Sequence, residues 1–141
     1  MKHTESILNI LKRLDKNKGF HISVVQDEDD FRILDVENMD EFWKVPFRIA
    51  CKKVLPRDVK KGDYVIYFNG LKPQKIVQIT EIGGEEKLNE NHPVHEEIIY
   101  TFYGVTLAKP HGHISFGCNI ENYVNVIDFQ KTDAIFKEMI K

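Results

Sequence analysis

The chain of 141 residues contains no apolar run that approaches the roughly 20 residues needed to span a bilayer. Near its start it carries a lysine and a histidine, but no apolar core of the kind found in signal peptides. We therefore expect a cytoplasmic protein without a membrane partner. Internal repeats and low-complexity segments are also lacking, while 42% hydrophobic and 30% charged residues are ordinary for one globular domain.

Cysteine is scarce, which limits the metal and redox chemistry to be expected. The two cysteines, Cys51 and Cys118, lie in apolar, strand-like segments, and neither belongs to a Cys-x-x-Cys pair. This pattern predicts buried free thiols and no zinc site. His92 and His95 lie in a polar stretch that predicts a solvated loop, so no metal is expected there. The sequence has no glycine-rich phosphate loop and no locatable Ser-His-Asp arrangement, so no cofactor is expected either.

The net charge of −2 conceals two segments of opposite charge. Residues 27–41 contain eight acids and one arginine, whereas residues 44–75 contain nine basic residues and two acids. A basic face is the usual footprint of nucleic-acid binding, and the acidic segment is a candidate surface for a protein partner. Clustering in sequence need not become clustering in space, so charge alone leaves scattered, solvated charges as an equal alternative.

Hydrophobic periodicity predicts a helix at each end of the chain and strands between them. The first helix is predicted from apolar residues at helical spacing between a capping threonine and a glycine: Thr4, Ile7, Ile10, Leu11, Leu14 and Gly19. Thr132 is predicted to cap the last helix. Strands are predicted from β-branched and aromatic segments at 20–25, 64–68, 74–82, 98–109, 114–116 and 123–129. Residues 31–36 and 47–55 fit either a strand or a helix.

Turn residues organise these strands into a sheet. Asn69-Gly70 is the strongest hairpin signal and predicts that the strands on either side of it pair. Gly83-Gly84 predicts the end of the second of these strands, followed by a polar loop over residues 85–97. Gly104 predicts a bulge in a later strand. The expected architecture is a mostly antiparallel, curled sheet or barrel flanked by N- and C-terminal helices.

In their order along the chain, these elements resemble the EVE family of the wider PUA-like group. The matching segments are an aromatic strand, a Trp-x-Val-Pro segment, a Lys-x-Gly-Asp turn into an apolar strand, a second apolar strand and a tyrosine-rich strand: 20–25, 43–46, 60–67, 75–82 and 100–107. Lys44 and Gln78 stand where the family usually has glycine. The resemblance implies an α+β, PUA-like fold, with residues 1–19 as a helical extension and residues 20–141 as the domain.

The same resemblance implies a nucleic-acid-binding module, for DNA or RNA, that holds a modified or flipped base in an aromatic pocket and is not an enzyme. Trp43 is the expected stacking residue, and Val45, two positions further along, is expected in the same pocket. A lone tryptophan can equally be a residue of the hydrophobic core. Tyr67 and Phe68 are candidates for the opposite wall, and only one of them can face the pocket because strand residues alternate. Base-edge contacts are assigned to Val25 and Gln26, and phosphate contacts to Arg48, Lys52, Lys53, Lys60 and Lys61.

A competing enzymatic interpretation comes from the tripeptide His-Ile-Ser, which occurs twice. The repeats are similar to the paired signature of 2H phosphoesterases, in which two histidines act as general base and acid on a phosphodiester and two hydroxyls hold the phosphate. The residues in these roles would be His21, Ser23, His113 and Ser115. That family has a helix between its middle strands and its second motif, whereas residues 98–107 predict a strand here. The sequence therefore favours a binding module over this enzyme.

Overall fold

The computed structural model of the protein describes residues 7–9, 11, 20–38, 47–69, 72–88, 97–107 and 112–139. Residues 7–9 and 11 are helical, and a C-terminal helix spans Phe129–Met139. One 3-10 turn covers Pro56–Asp58. The strands are β1 (Phe20–Asp27), β2 (Phe31–Asn38), β3 (Phe47–Val54), β4 (Tyr64–Asn69), β5 (Lys72–Leu88), β6 (Glu97–Thr106), β7 (His113–Asn119) and β8 (Val124–Ile127).

These strands form one eight-stranded sheet in the order β1-β2-β3-β8-β4-β5-β6-β7. Every neighbouring pair is antiparallel, which confirms the mostly antiparallel sheet predicted from the sequence. The segments left open between strand and helix, 31–36 and 47–55, belong to β2 and β3. Asn69 pairs with Lys72, so β4 and β5 form the predicted hairpin. The strand latest in sequence, β8, lies at the centre of the sheet.

Two hydrophobic clusters cover the two faces of the central strands. Ile66, Ile76 and Ile127 belong to one cluster, which also contains Ile7 and Leu11 from the N-terminal helical residues. The neighbouring side chains in β4, β5 and β8 point the other way into the second cluster, whose buried members are Val59, Val65, Val77, Ile79, Phe102 and Val124. Because the central strands are buried on both faces, their sequences are nearly continuous apolar runs.

Two glycine predictions need correction. Strand β5 does not end at Gly83-Gly84 but continues to Leu88, and residues 85–88 pair with β6 instead of forming the predicted loop. The backbone of Gly84, with φ of +85°, accommodates a register shift between Ile82 and Gly84, so the glycines form a bulge and not a strand end. The bulge predicted at Gly104 lies opposite, in β5 between Ile79 and Glu81. Gly104 fits there because a Cβ would stand 2.5 Å from the Gln78 carbonyl oxygen.

The cap of the C-terminal helix was also predicted wrongly. The helix begins at Phe129, and the Asp128 carboxylate accepts a hydrogen bond from the Lys131 backbone N–H at 2.9 Å. Thr132 lies one turn inside the helix and is fully buried. Its Oγ1 accepts the Ala50 N–H at 3.0 Å and donates to the Asp128 carbonyl oxygen at 2.6 Å. Thr132 therefore joins the helix to the middle of β3.

Several expectations from composition can be compared with the described residues. Cys51 is a buried free thiol as predicted, whereas Cys118 is free but only half-buried. Within the described ranges no cluster of three or more metal-ligating side chains occurs. No helix in this part of the chain has the length and apolar character to cross a membrane. Thr4, Ile10, Leu14, Gly19, His92 and His95 lie outside the described residues.

The Thr132 contacts predict a stability effect that an isosteric change can measure. Thr132→Val keeps the volume but leaves the buried Ala50 N–H without its acceptor, so we expect a loss of about 1–3 kcal/mol in the free energy of unfolding. Urea unfolding followed by circular dichroism measures this loss. The matched control is Thr80→Val on the exposed face of β5, which we expect to change stability by less than about 0.5 kcal/mol. Equal effects of the two changes would contradict the anchoring role of Thr132.

Candidate ligand site

The candidate site lies where β4 and β8 separate. These two strands pair at two positions, Val65 with Val126 and Ile66 with Asn125. Beyond Ile66, β4 continues alongside β5, while β8 stays alongside β3. The gap opens into a cavity of about 540 Å³, within the range of small-molecule sites. We call it the splay cavity, and its principal lining residues are Arg32, Tyr67, Phe116, Cys118, Asn119, Asn122, Tyr123 and Asn125.

An aromatic wall bounds one side of the splay cavity. The rings of Tyr67 on β4 and Phe116 on β7 lie 4.9 Å apart between centroids, at an interplanar angle of 44°. Phe116 in turn packs at 5.4 Å against the fully buried ring of Phe102, so the wall is continuous with the second hydrophobic cluster. Tyr123, which is 60% exposed, stands at the rim. A wall of this kind can pack against a planar ring, because aromatic rings attract one another in offset-stacked or edge-to-face arrangements at such separations.

Asn125 contributes a buried amide to the same cavity. It lies in β8 opposite Ile66 and Lys53 and is 8% exposed. Its Oδ1 has no hydrogen-bond partner among the described residues. By contrast, Oδ1 of Asn119 accepts the Glu121 N–H at 2.9 Å and so helps to form the turn before β8. A buried acceptor that has no donor costs about 1–3 kcal/mol.

A charged cluster places Arg32 at the cavity. The Arg32 guanidinium donates to both carboxylate oxygens of Asp27, at 3.4 and 3.3 Å. Lys53 lies 2.5 Å from the same carboxylate and donates to the Glu28 carbonyl oxygen at 2.7 Å. The bonds from Lys53, and then those from Arg32, lower the pKa of Asp27 below its ordinary value. Asp27 therefore stays ionised at neutral pH and holds the guanidinium in position.

The structure brings one of the predicted pocket residues into this cavity. Tyr67 lines it, while Trp43, Val45 and the Phe68 side chain lie outside the described residues. Val25 and Gln26, predicted to contact the base edge, lie on the edge strand β1 and are exposed. Val25 is the extra residue of a bulge between Val24 and Gln26. These two residues are not among those that line the splay cavity.

The predicted phosphate contacts divide into two groups. Arg48 pairs with Asp35 directly across from it on β2, at 2.6 Å, and Lys53 pairs with Asp27. These two ion pairs join the acidic and basic segments across β1, β2 and β3, so part of their opposite charge is offset locally. The remaining three candidates are exposed: Lys52, Lys60 and Lys61.

The two His-Ile-Ser repeats lie on the two edge strands of the sheet. His21 and Ser23 are on β1, His113 and Ser115 are on β7, and six strands stand between them in the sheet order. His113 and Ser115 are exposed in a shallow depression whose other lining residues include Glu81 and Tyr103. Acid–base catalysis on one phosphodiester requires both histidines at a single cleft, and the strand order alone does not provide one.

Sequence reasoning missed most of the splay cavity. No local pattern in the sequence groups Phe116, Cys118 and Tyr123 at one site, because the separation of β4 from β8 is a tertiary feature. One local signal was available. Asn125 interrupts the apolar run of residues 124–127, in which Val124 and Ile127 are buried. A polar residue within a buried apolar strand is unusual and can indicate a functional position.

Comparisons with known proteins give no information about this site. No family model, curated protein sequence or solved structure matches the chain. The resemblance to the EVE family therefore stays a prediction.

Cys118 offers a chemical test of the cavity. Burial raises the pKa of its thiol to about 11, so the reactive thiolate is scarce at neutral pH and increases as the pH rises. At about pH 8 we expect alkylation roughly 20-fold slower than that of an exposed cysteine, because the small thiolate fraction is partly offset by greater nucleophilicity. The rate should climb about tenfold per pH unit until the pH nears the thiol pKa.

Peptide mapping by mass spectrometry after timed iodoacetamide treatment measures this rate. Cys51 is fully buried, and burial raises its pKa to about 12, so it serves as the internal control that stays unlabelled while the protein is folded. A Cys118 rate that levels off near the pKa of an ordinary thiol would contradict the desolvated position of this side chain.

Proposed function

We propose that this protein is a nucleic-acid-binding module that holds one unpaired base of DNA or RNA in the splay cavity. The observation that carries the proposal is the combination, in one cavity, of two packed aromatic rings with a buried amide whose oxygen has no hydrogen-bond partner among the described residues. A base is planar, stacks through its face and forms hydrogen bonds through its edge, so it matches both features. The resemblance to the EVE family supports the same class of ligand, including a modified base.

The energetics favour bases that are already unpaired. Drawing a base out of a duplex costs a few kcal/mol, and this cost is smallest for mismatched, damaged or single-stranded bases. Stacking on an aromatic side chain returns about 1–3 kcal/mol per base. One stacking site therefore roughly balances the cost of extrusion from a duplex and leaves a net gain on a single strand. We accordingly propose single-stranded or locally unpaired segments as the natural ligand.

Phosphate contacts contribute only part of the affinity in this proposal. Arg48 and Lys53 are engaged by carboxylates, which leaves Lys52, Lys60 and Lys61 as the exposed candidates. Each neutralised phosphate of a single strand changes the slope of log K against log salt by about −0.7. Three contacts would therefore give a slope no steeper than about −2.

Titration of a fluorescently labelled single-stranded oligonucleotide, read by anisotropy, tests the proposal. Tyr67→Leu keeps apolar volume but removes the stacking ring, so we expect about a fivefold to 150-fold weaker affinity. Tyr123→Ala removes the exposed ring at the rim at little risk to folding, and it should weaken binding in the same direction. Tyr103→Leu is the matched control, because this tyrosine is exposed on β6 away from the cavity.

Two further measurements locate the ligand. Bound oligonucleotide should slow the alkylation of Cys118, since this thiol lies in the wall of the cavity. Trp43→Leu, in the same titration, tests whether the predicted stacking tryptophan takes part. Absence of binding to DNA and RNA oligonucleotides at low salt would overturn the proposal. So would equal losses in the Tyr67 and Tyr103 variants, because the aromatic wall would then have no special role.

A further inference from the structure

Asn125 is an unusual residue for its position in the sheet. It occupies the central strand β8, beside the buried Val124 and opposite the buried Ile66. At such a position an apolar side chain would avoid the cost of burying a polar group, because the amide oxygen of Asn125 is buried with no hydrogen-bond partner among the described residues. The contacts that the structure describes for this residue give no return for this cost. A ligand that forms hydrogen bonds with the amide would account for it.

We infer that Asn125 selects the ligand of the splay cavity, and that this ligand presents an N–H donor next to an acceptor on the edge of a planar ring. The inference rests on the proposed function and specifies which bases the cavity accepts. An amide side chain carries one acceptor and two donors in a plane, so it can form two parallel hydrogen bonds with such an edge. Unalkylated nucleobases have this edge, and bases whose donor nitrogen has lost its last hydrogen to alkylation do not.

The orientation of the amide decides which of its atoms a ligand meets. Oδ1 of Asn125 is buried, so in this orientation it does not face the open space of the cavity. Rotation about the Cβ–Cγ bond, which is a soft torsion in asparagine, turns Oδ1 toward the cavity. A ligand with an N–H at this position can then form the bond that Oδ1 lacks among the described residues.

The aromatic wall and the amide then have separate tasks. Tyr67 and Phe116 hold any planar ring, because every base has a π-face and stacking tolerates changes of sequence. Asn125 distinguishes rings by their edge. Removal of a wall residue should weaken all ligands alike, whereas removal of the amide should weaken only the ligands that have the matching edge.

Paired oligonucleotides test the inference on the wild-type protein. Each pair differs at one base: uracil against N3-methyluracil, cytosine against N4,N4-dimethylcytosine, and adenine against N6,N6-dimethyladenine. For the base that binds best, we expect the alkylated partner to bind about fivefold to 150-fold more weakly. Equal affinity within all three pairs would overturn the inference while leaving the proposed function intact. Failure of every oligonucleotide to bind would overturn both.

Substitution of Asn125 separates recognition from a steric clash with the added methyl groups. Asn125→Leu should abolish the discrimination within a pair and leave the unfolding midpoint unchanged or higher. If leucine prevents folding, Asn125→Val is smaller and suits a strand. Gln78→Leu on β5 is the matched control, because it removes a half-buried amide that does not line the cavity. Discrimination that survives in the Asn125 variants, or is lost equally in the Gln78 variant, would overturn the assignment.

Discussion

The whole structure depends on the insertion of β8 between β3 and β4. Without this strand of four residues, β1–β3 and β4–β7 would be two separate antiparallel sheets. Its pairing with β3 covers four residue pairs, whereas its pairing with β4 covers two. The short second ladder joins the halves and also opens the splay cavity, since β4 extends beyond the point where pairing stops. The short pairing of β4 with β8 therefore joins the two halves of the sheet and also leaves the space for the splay cavity.

The position of β8 also explains why the C-terminal helix is hydrogen-bonded to β3. The chain leaves β8 at Ile127, and the next residue donates its backbone N–H to the Ala50 carbonyl oxygen at 2.8 Å. Asp128 then caps the helix, and Thr132 returns to Ala50. The two bonds to Ala50 join residues more than seventy positions apart in sequence, so the centre of the sheet forms only after long-range closure. In folds of this type the entropy cost of closing long loops comes before the stabilising contacts form, so we expect slow folding.

Local signals in the sequence predicted much of the local structure. Asn69-Gly70 predicted the β4–β5 hairpin, and apolar spacing placed the C-terminal helix, because turn geometry and side-chain periodicity act within a few residues. The bulge at Gly84 was misjudged since glycine is equally compatible with a strand end and with a left-handed bulge position. The site was the hardest part. Tyr67, which was predicted to form the wall of a pocket, lines the splay cavity, but Asn125 and Phe116 join it there only through the non-local order of the strands.

The distribution of charge has a bearing on how such a site can work. The pairing of β2 with β3 places Asp35 opposite Arg48. At the end of β1, Asp27 forms ion pairs with Lys53 and Arg32. Partly exposed pairs of this kind add little to stability, but they offset positive charge that would otherwise attract phosphates without regard to sequence. Under the proposed function, affinity would then come from the cavity, where a ring would be held by its face and distinguished by its edge. Such a module would give up tight non-specific binding, and a single buried amide would account for a large share of its selectivity.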